Sequence, residues 1–246
     1  MNLENAKEII ASEKIHGKSI KDRAELIWGW STPAGRLRIE RRIGMLKEGA
    51  KIDCNHKVLE LGCGTGLVSR KISGFCKELI AIDISDELLT VAREKSCKPN
   101  IQYLLQDIHT LNFKDDSFDA VIGSSILHHS EVEKALGEIY RVLKPGRYIA
   151  FTEPNMLNPQ IMFQKNIPFI KKMLGDSPDE TAFFRWGLKR RLRKSGFTNI
   201  TIIPFDFLHP LTPKFLIKII SRIGNTLERM PLLREIAGSL FITAEK

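Results

Sequence analysis

Short apolar runs recur through the middle of the chain, each closed by a turn and followed by residues at helical spacing. Lys57–Leu61, Glu78–Asp83, Ile101–Leu105, Phe118–Gly123 and Arg147–Thr152 read as strands. They are rich in Val, Ile, Leu and Phe and bounded by Gly, Pro, Asp or Ser. Between them, Leu88, Leu89 and Ala92 share one helical face, as do Val132, Ala135, Leu136, Ile139, Val142 and Leu143. Leu67, Val68 and Ile72 predict a helix directly after the first strand. Ser85 is placed to cap the first of the two longer helices. Ser130 and Glu133 are spaced for a capping box on the second, which Lys144-Pro145-Gly146 ends. Thr198–Phe205 and Leu240–Ala244 read as two later strands. Strands that alternate with helices imply an α/β protein with a mostly parallel sheet covered on both faces.

The flanking segments follow other patterns. Residues 1–50 predict an N-terminal helical cap, of which 1–20 form a polar helix or a loose arm. Trp28–Gly35 is a turn between two helices, followed by Arg36, Arg38, Arg41 and Arg42. Two readings stand: a cap packed on the sheet by its tryptophans, or a lid whose arginine reaches an anionic group. Residues 51–155 form the core. Residues 156–195 read as an insertion with a helix over 179–195, basic from Lys189 to Lys194. Residues 206–238 form a second insertion, where Phe215, Leu216, Ile219, Ile220 and Ile223 share one face and Lys214, Lys218 and Arg222 the other. Such a helix either packs on the sheet or lies on a membrane surface. The whole reads as a single domain of 246 residues with two lid insertions.

Composition narrows the class. Hydrophobic residues make up 43% and charged residues 27%, values of a globular chain. No apolar run is long enough to span a bilayer, and the first residues lack the apolar core of a signal peptide. Cys54, Cys63, Cys76 and Cys97 form no CxxC pair, so a reduced cytoplasmic protein without metal is expected, at most peripheral at the inner membrane face. The formal charge of +9 is uneven: residues 156–246 carry 15 Lys/Arg against 7 Asp/Glu. That excess suits an anionic membrane, nucleic acid as a less favoured partner, or simply solvent.

The candidate chemistry lies at strand ends. Glu60-Leu61-Gly62-Cys63-Gly64-Thr65-Gly66 carries three alternate glycines after the first strand. The dinucleotide fingerprint wants its third glycine at position 67, which is Leu67, so a NAD-dependent oxidoreductase is the weaker reading. Asp83 ends the second strand, where a carboxylate suits a ribose diol. Asp107 follows the third, where it suits an adenine amino group, with Ile108 able to pack on the ring. Ser124 ends the fourth strand, and His128 and His129 follow it. Either histidine could deprotonate an acceptor, or the pair merely orders the loop.

VLELGCGTG, the AID of the second strand, QDI, FDAVIGSSILHH, EIYRVLKPGR and EPN resemble the class I S-adenosylmethionine-dependent methyltransferases, in the type 11 group typified by ubiquinone/menaquinone biosynthesis enzymes. The resemblance covers about Lys57 to Gly146, with further matches at Gly196-Phe197 and the last strand. It implies a Rossmann-like seven-stranded sheet whose last strand is antiparallel. It implies S-adenosylmethionine bound by Glu60, Gly62, Cys63, Gly64, Gly66, Asp83, Ile84, Asp107, Ile108 and Ser124. Arg147 stands where the family usually has a second glycine, with little consequence expected for cofactor binding. A small or lipid-linked methyl acceptor is the leading expectation, and RNA or protein the alternative.

Overall fold

A computed structural model describes residue 15, residues 17–167 and residues 182–246. The arm at 1–14 and the prolines and apolar residues of 168–178 therefore lie outside the described residues. Seven strands form one sheet: β1 (Lys57–Leu61), β2 (Glu78–Asp83), β3 (Ile101–Leu105), β4 (Phe118–Ser124), β5 (Leu143–Pro154), β6 (Thr198–Phe205) and β7 (Ser239–Glu245). Their spatial order is β3-β2-β1-β4-β5-β7-β6. Strands β1 to β5 pair in parallel, and β7 runs antiparallel to both β5 and β6. The order reverses between β1 and β4, which is where open α/β sheets leave a crevice for ligands.

Alternation along β1 sends side chains to opposite faces. Leu59 and Leu61 join Val121, Phe151 and Ile242 in a core on one face, closed by Leu136 and Ile139 of α5 and Leu188 and Leu192 of α7. Val58 faces the other way, with Leu79, Ile122 and Ala150, against Ile39, Ile43 and Leu46 of α2. The helices are α1 (Ala24–Ile27), α2 (Pro33–Gly49), α3 (Ser69–Ile72), α4 (Asp86–Glu94), α5 (Val132–Val142), α6 (Pro159–Asn166), α7 (Arg185–Lys194) and α8 (Ile217–Arg229). Pro33 opens α2, and the Thr32 hydroxyl accepts from the Gly35 amide at 2.9 Å. Ser85 caps α4 as the sequence predicts, accepting from Leu88 N–H at 3.3 Å.

Several expectations need correction. Ser130 and Glu133 form no capping box: Glu131 holds the cap position, and the Ser130 hydroxyl donates backwards to Leu127 O at 2.7 Å. That bond closes the short 3-10 turn Leu127–His129 instead. The helix after β1 begins at Ser69, not Leu67, and is one turn long. β5 begins as soon as α5 ends, at Leu143, which pairs with Phe118 across a bulge. The helix expected over 179–195 is described from Arg185, while Phe183 bridges Asn155.

The amphipathic helix α8 turns a different face inward than its spacing predicts. Ile217 is buried and Ile220 partly so, against Ala34 and Leu208, and Gly224 lies against Phe207. Phe215, Ile219 and Ile223 are left 78%, 55% and 53% exposed. α8 is tied to α2 by a bidentate Arg41–Glu228 pair, and the cap turn is tied to the loop after β6 by Thr32 Oγ1 donating to Pro210 O at 2.7 Å. Among the described residues no helix is long and apolar enough to cross a membrane, and no cluster of three metal-ligating side chains occurs.

Candidate cofactor and acceptor site

A cavity of about 640 Å³ opens at the carboxyl ends of β1 to β5, roofed by the N-terminal cap and the two insertions. One end is built on the β1 turn. Gly62, Cys63, Gly64 and Thr65 line it. Gly64 has φ +52°, and a Cβ there would meet the Trp28 indole at 2.9 Å, so backbone and cap ring are in close approach. Gly66 does not line the cavity; it lies under the Tyr103 hydroxyl, where a Cβ would stand at 2.5 Å. Its part is to close the turn and let β3 approach.

Three carboxylates surround this end. Asp83 is 8% exposed; Oδ2 accepts from Gly64 N–H at 2.8 Å and Oδ1 from Ser85 N–H at 2.9 Å. One carboxylate thus fixes both the glycine turn and the start of α4. Asp107 Oδ1 accepts from His109 N–H at 2.9 Å and meets His109 Nδ1 at 2.6 Å. Burial pushes the Asp107 carboxyl up, but the bonds from His109 outweigh it and hold the pKa below the usual value. His109 Nε2 in turn accepts from Glu131 N–H at 2.9 Å, so the proton resides on Nδ1. Glu60, on the same face of β1 as Val58, is 3% exposed, and its Oε2 has no hydrogen-bond partner. Burial first, and the nearby Asp83 charge in addition, push its pKa up to about 8. Ile84 and Ile108 line the walls of this end beside Asp83 and Asp107, and Ser124 stands at the β4 side.

The other end is built on β4, β5, β7 and the loop after β6. Ser124 Oγ lies 2.9 Å from Thr152 Oγ1. The wholly buried Glu153 accepts from Ile126 N–H (3.0 Å) and Leu127 N–H (2.8 Å) on Oε1, and holds His128 Nδ1 at 2.7 Å on Oε2. The His128 and His129 rings lie against each other at a 40° tilt, with centroids 4.1 Å apart. His128 is oriented by that acid. Arg42, 3% exposed, lies between the Trp30 and Phe205 rings and donates to Thr152 Oγ1 (3.2 Å) and Ser239 Oγ (2.6 Å). Burial, then Arg38's charge, lower its pKa to about 10, which still leaves it charged at neutral pH. Arg38, Trp30, Gln160, Ile161, Lys165, His209 and Leu211 are among the residues that line the rest of the wall.

The structure thus brings together every sequence-predicted site residue except Gly66. Sequence reasoning gave no role to Glu153, His109, Asp206 or Ser239. Glu153 had a signal, an acid at the end of an apolar strand, and so did His109, two residues past a strand-end Asp. Asp206 and Ser239 had none that distinguished them from other surface-type residues. Arg147, the departure from the family pattern, pairs with Asp119 (3.3 Å) and His56 (2.9 Å), neither of which lines the cavity.

The methyltransferase domain family model of type 11 matches residues 59–151, the stretch that carries Glu60, Asp83, Asp107, His128 and most of β5. Over this stretch the chain is similar to the S-adenosylmethionine-dependent methyltransferases. An uncharacterized methyltransferase-like protein of Schizosaccharomyces pombe is 31% identical over 163 residues, 65% of this chain and 61% of its own. The chain therefore spans less than two thirds of that relative's length. A demethylmenaquinone methyltransferase of Staphylococcus aureus is 29% identical over 191 residues, 69% of this chain and 76% of its own. A Thermotoga maritima structure, described as an S-adenosylmethionine-dependent methyltransferase and possible histamine N-methyltransferase, superposes with a TM-score of 0.64. It is 19% identical and the match covers 94% of this chain and 99% of that one, a likeness that shows the class I methyltransferase fold.

Proposed function

We propose that the chain transfers a methyl group from S-adenosylmethionine to a small or lipid-linked acceptor with an apolar body. The observation that carries this is one continuous cavity joining a carboxylate-lined glycine turn to an end with an acid-oriented histidine. The cofactor is a cation, and the residues fit it. Glu60 Oε2, buried and unpartnered, is placed for an ammonium group. Asp83 is placed for ribose hydroxyls, and His109 leaves Asp107 Oδ2 to take the adenine amino group. A dinucleotide's pyrophosphate would instead meet Glu60 and Asp83, and α3 is too short to supply a helix N-terminus for it, which disfavours the oxidoreductase reading.

When bound, S-adenosylmethionine supplies an electrophilic methyl on a sulfonium centre. The protein's part is to align the acceptor and to hold its proton. With Nδ1 directed at Glu153, His128 has Nε2 as its basic nitrogen, and the buried acid favours the imidazolium that forms when Nε2 takes the acceptor's proton. The His129 ring lies against the His128 ring at a tilt. A recessed cavity supports a small molecule or a lipid head over RNA or protein. Calorimetry with S-adenosylhomocysteine and NAD, followed by label transfer from S-adenosylmethionine into cell extracts, tests the reading. Absent S-adenosylhomocysteine binding would refute it.

The lipid-linked form of the acceptor draws support from α8. Phe215, Ile219 and Ile223 form an exposed apolar stripe at i, i+4, i+8, flanked by the exposed Lys214, Lys218 and Arg222. Leu211, which lines the cavity, is 75% exposed at its rim. An apolar stripe with a basic border suits an anionic bilayer surface. Sedimentation with anionic and neutral vesicles at low and high salt tests this; a chain that ignores anionic vesicles at low salt takes a soluble acceptor.

A further inference from the structure

Charge in the cavity divides with the sheet. Glu60, Asp83 and Asp107 belong to the β3-β2-β1 side. Arg38 and Arg42, one turn apart on α2, face the β4-β5-β7-β6 side, where Arg42 meets Thr152 and Ser239 and Arg38 meets Asp206. The two arginines differ in what remains to them. Arg42 has both Nη nitrogens bonded to the Thr152 and Ser239 hydroxyls, and its Nε is buried without a partner beside the Trp30 and Phe205 rings, out of reach of the cavity. Arg38 donates only Nε, to Asp206 Oδ2 at 2.7 Å. Its Nη1 and Nη2 have no hydrogen bond among the described residues, and its side chain is 13% exposed where it lines the cavity.

Asp206 does not exhaust the positive charge. It is the one carboxylate among the described residues within ion-pair distance of either guanidinium, and it serves both, at 2.7 Å from Arg38 and 3.7 Å from Arg42. Glu153, the other acid on this side, is occupied by two backbone amides and His128. Asp206 is itself held in the left-handed region, at φ +77°, with its N–H on Glu228 and its C=O taking Gly238 N–H. A non-glycine residue at that φ persists only where its surroundings fix it. The anchor of the Arg38 fork is therefore rigid. Beside it, burial and then Arg38's charge lower the His209 pKa, so His209 is neutral at neutral pH and lines the cavity without adding charge.

We propose that the methyl acceptor carries a carboxylate, received end-on by the Nη1 and Nη2 of Arg38 at the end of the cavity opposite the three acids. The inference rests on the methyl-transfer reading. The planar fork matches a carboxylate with two parallel bonds, its orientation is paid for in advance by Asp206, and the Trp30 ring, 5.5 Å from the guanidinium, shields one face from water. A cation at the acid end and an anion at the arginine end would then be held in opposite senses, so that an acceptor cannot enter reversed.

The test uses the full chain saturated with S-adenosylhomocysteine, titrated in a calorimeter with 4-hydroxybenzoate and with its neutral counterpart 4-hydroxybenzyl alcohol. The carboxylate is expected to bind about tenfold or more tightly than the alcohol. Arg38→Gln is expected to bring the two within about twofold, with S-adenosylhomocysteine affinity unchanged as the check on folding. Arg38→Lys keeps the charge near Asp206 but loses the fork, and is expected to retain only part of the preference. Equal binding of the two probes, no binding of the carboxylate, or a preference that survives Arg38→Gln would overturn the proposal while leaving methyl transfer standing. Loss of S-adenosylhomocysteine binding by the wild-type chain would overturn both.

Discussion

The carboxylates on the β3-β2-β1 side are placed by short stretches of chain, whereas the polar groups across the crevice are placed by residues far apart in sequence. Asp83 holds Gly64, 19 residues away, and Ser85, two away. Asp107 is set by His109, two residues on. On the other side Arg42 reaches Thr152 and Ser239, separated from it by 110 and 197 positions, and Arg38 reaches Asp206 across 168. The difference teaches where tolerance lies. The carboxylate end is set by local turns, and the arginine end by contacts between the cap, β5, β7 and the loop after β6, so a change in any of these reaches the cavity from far along the sequence.

That contrast can be broken most sharply at the histidine. His128→Ala is expected to lower kcat by about 10²–10⁴-fold, the usual worth of a positioned base, with S-adenosylhomocysteine affinity near normal. Glu153→Gln should lower kcat by less, because the ring stays but the carboxylate that favours its charged form is gone. Steady-state kinetics beside calorimetry separates the two, and unchanged turnover in His128→Ala removes the base. His129→Ala serves as the control and should lose less than His128→Ala.

On the cofactor side, Asp83→Ala should weaken S-adenosylmethionine binding by about 1.5–3 kcal/mol, the range for hydrogen bonds to a charged group. Calorimetry on the folded variant checks it, and unaltered affinity would take Asp83 out of the site. A pH-dependent effect on the same side concerns Glu60. Its carboxyl is raised from 4.5 to about 8, so between those values the folded chain holds a proton that the unfolded chain has released. Its contribution to stability therefore falls as pH rises through that window, by at most about 1.4 kcal/mol per pH unit. Glu60→Gln should flatten the slope seen in denaturant titrations. Binding of the cationic cofactor should strengthen with pH up to about 8 in the wild type, and less so in the variant. An unchanged slope in Glu60→Gln assigns the proton elsewhere.

The same contrast governs what the sequence made legible. Glu60, the glycine turn, Asp83 and Asp107 each sit at a strand end that apolar spacing locates, so local pattern was enough. The Ser85 cap was legible for the same reason. The capping box at Ser130 failed because the Ser130 hydroxyl serves the preceding 3-10 turn, which no pattern within α5 reveals. Arg38 stood in the sequence among four arginines with a role for one of them, and only Asp206, 168 positions on, distinguishes it. α8 showed a clear apolar face, yet the face that packs is the one where Gly224 lets Phe207 approach. Sequence spacing counts apolar residues and does not register the absence of a side chain.

The cap's contact with the glycine turn has a kinetic meaning. Trp28, the C-cap of α1, lies on Gly64, and Glu25 in α1 accepts from Thr65 Oγ1 at 3.0 Å and pairs with Lys95 at 2.9 Å. Burial raises the Glu25 pKa, but the bonds from Lys95 and Thr65 outweigh it, so the clasp is charged at neutral pH and survives mild acid. A ligand seated against the Gly64 backbone would lie beside the indole, next to the turn that Glu25 fastens to Thr65 and Lys95. If the clasp gates the turn, it bears on residence time more than on affinity. Glu25→Ala should quicken S-adenosylhomocysteine exit and entry together in stopped-flow traces, with little change in their ratio.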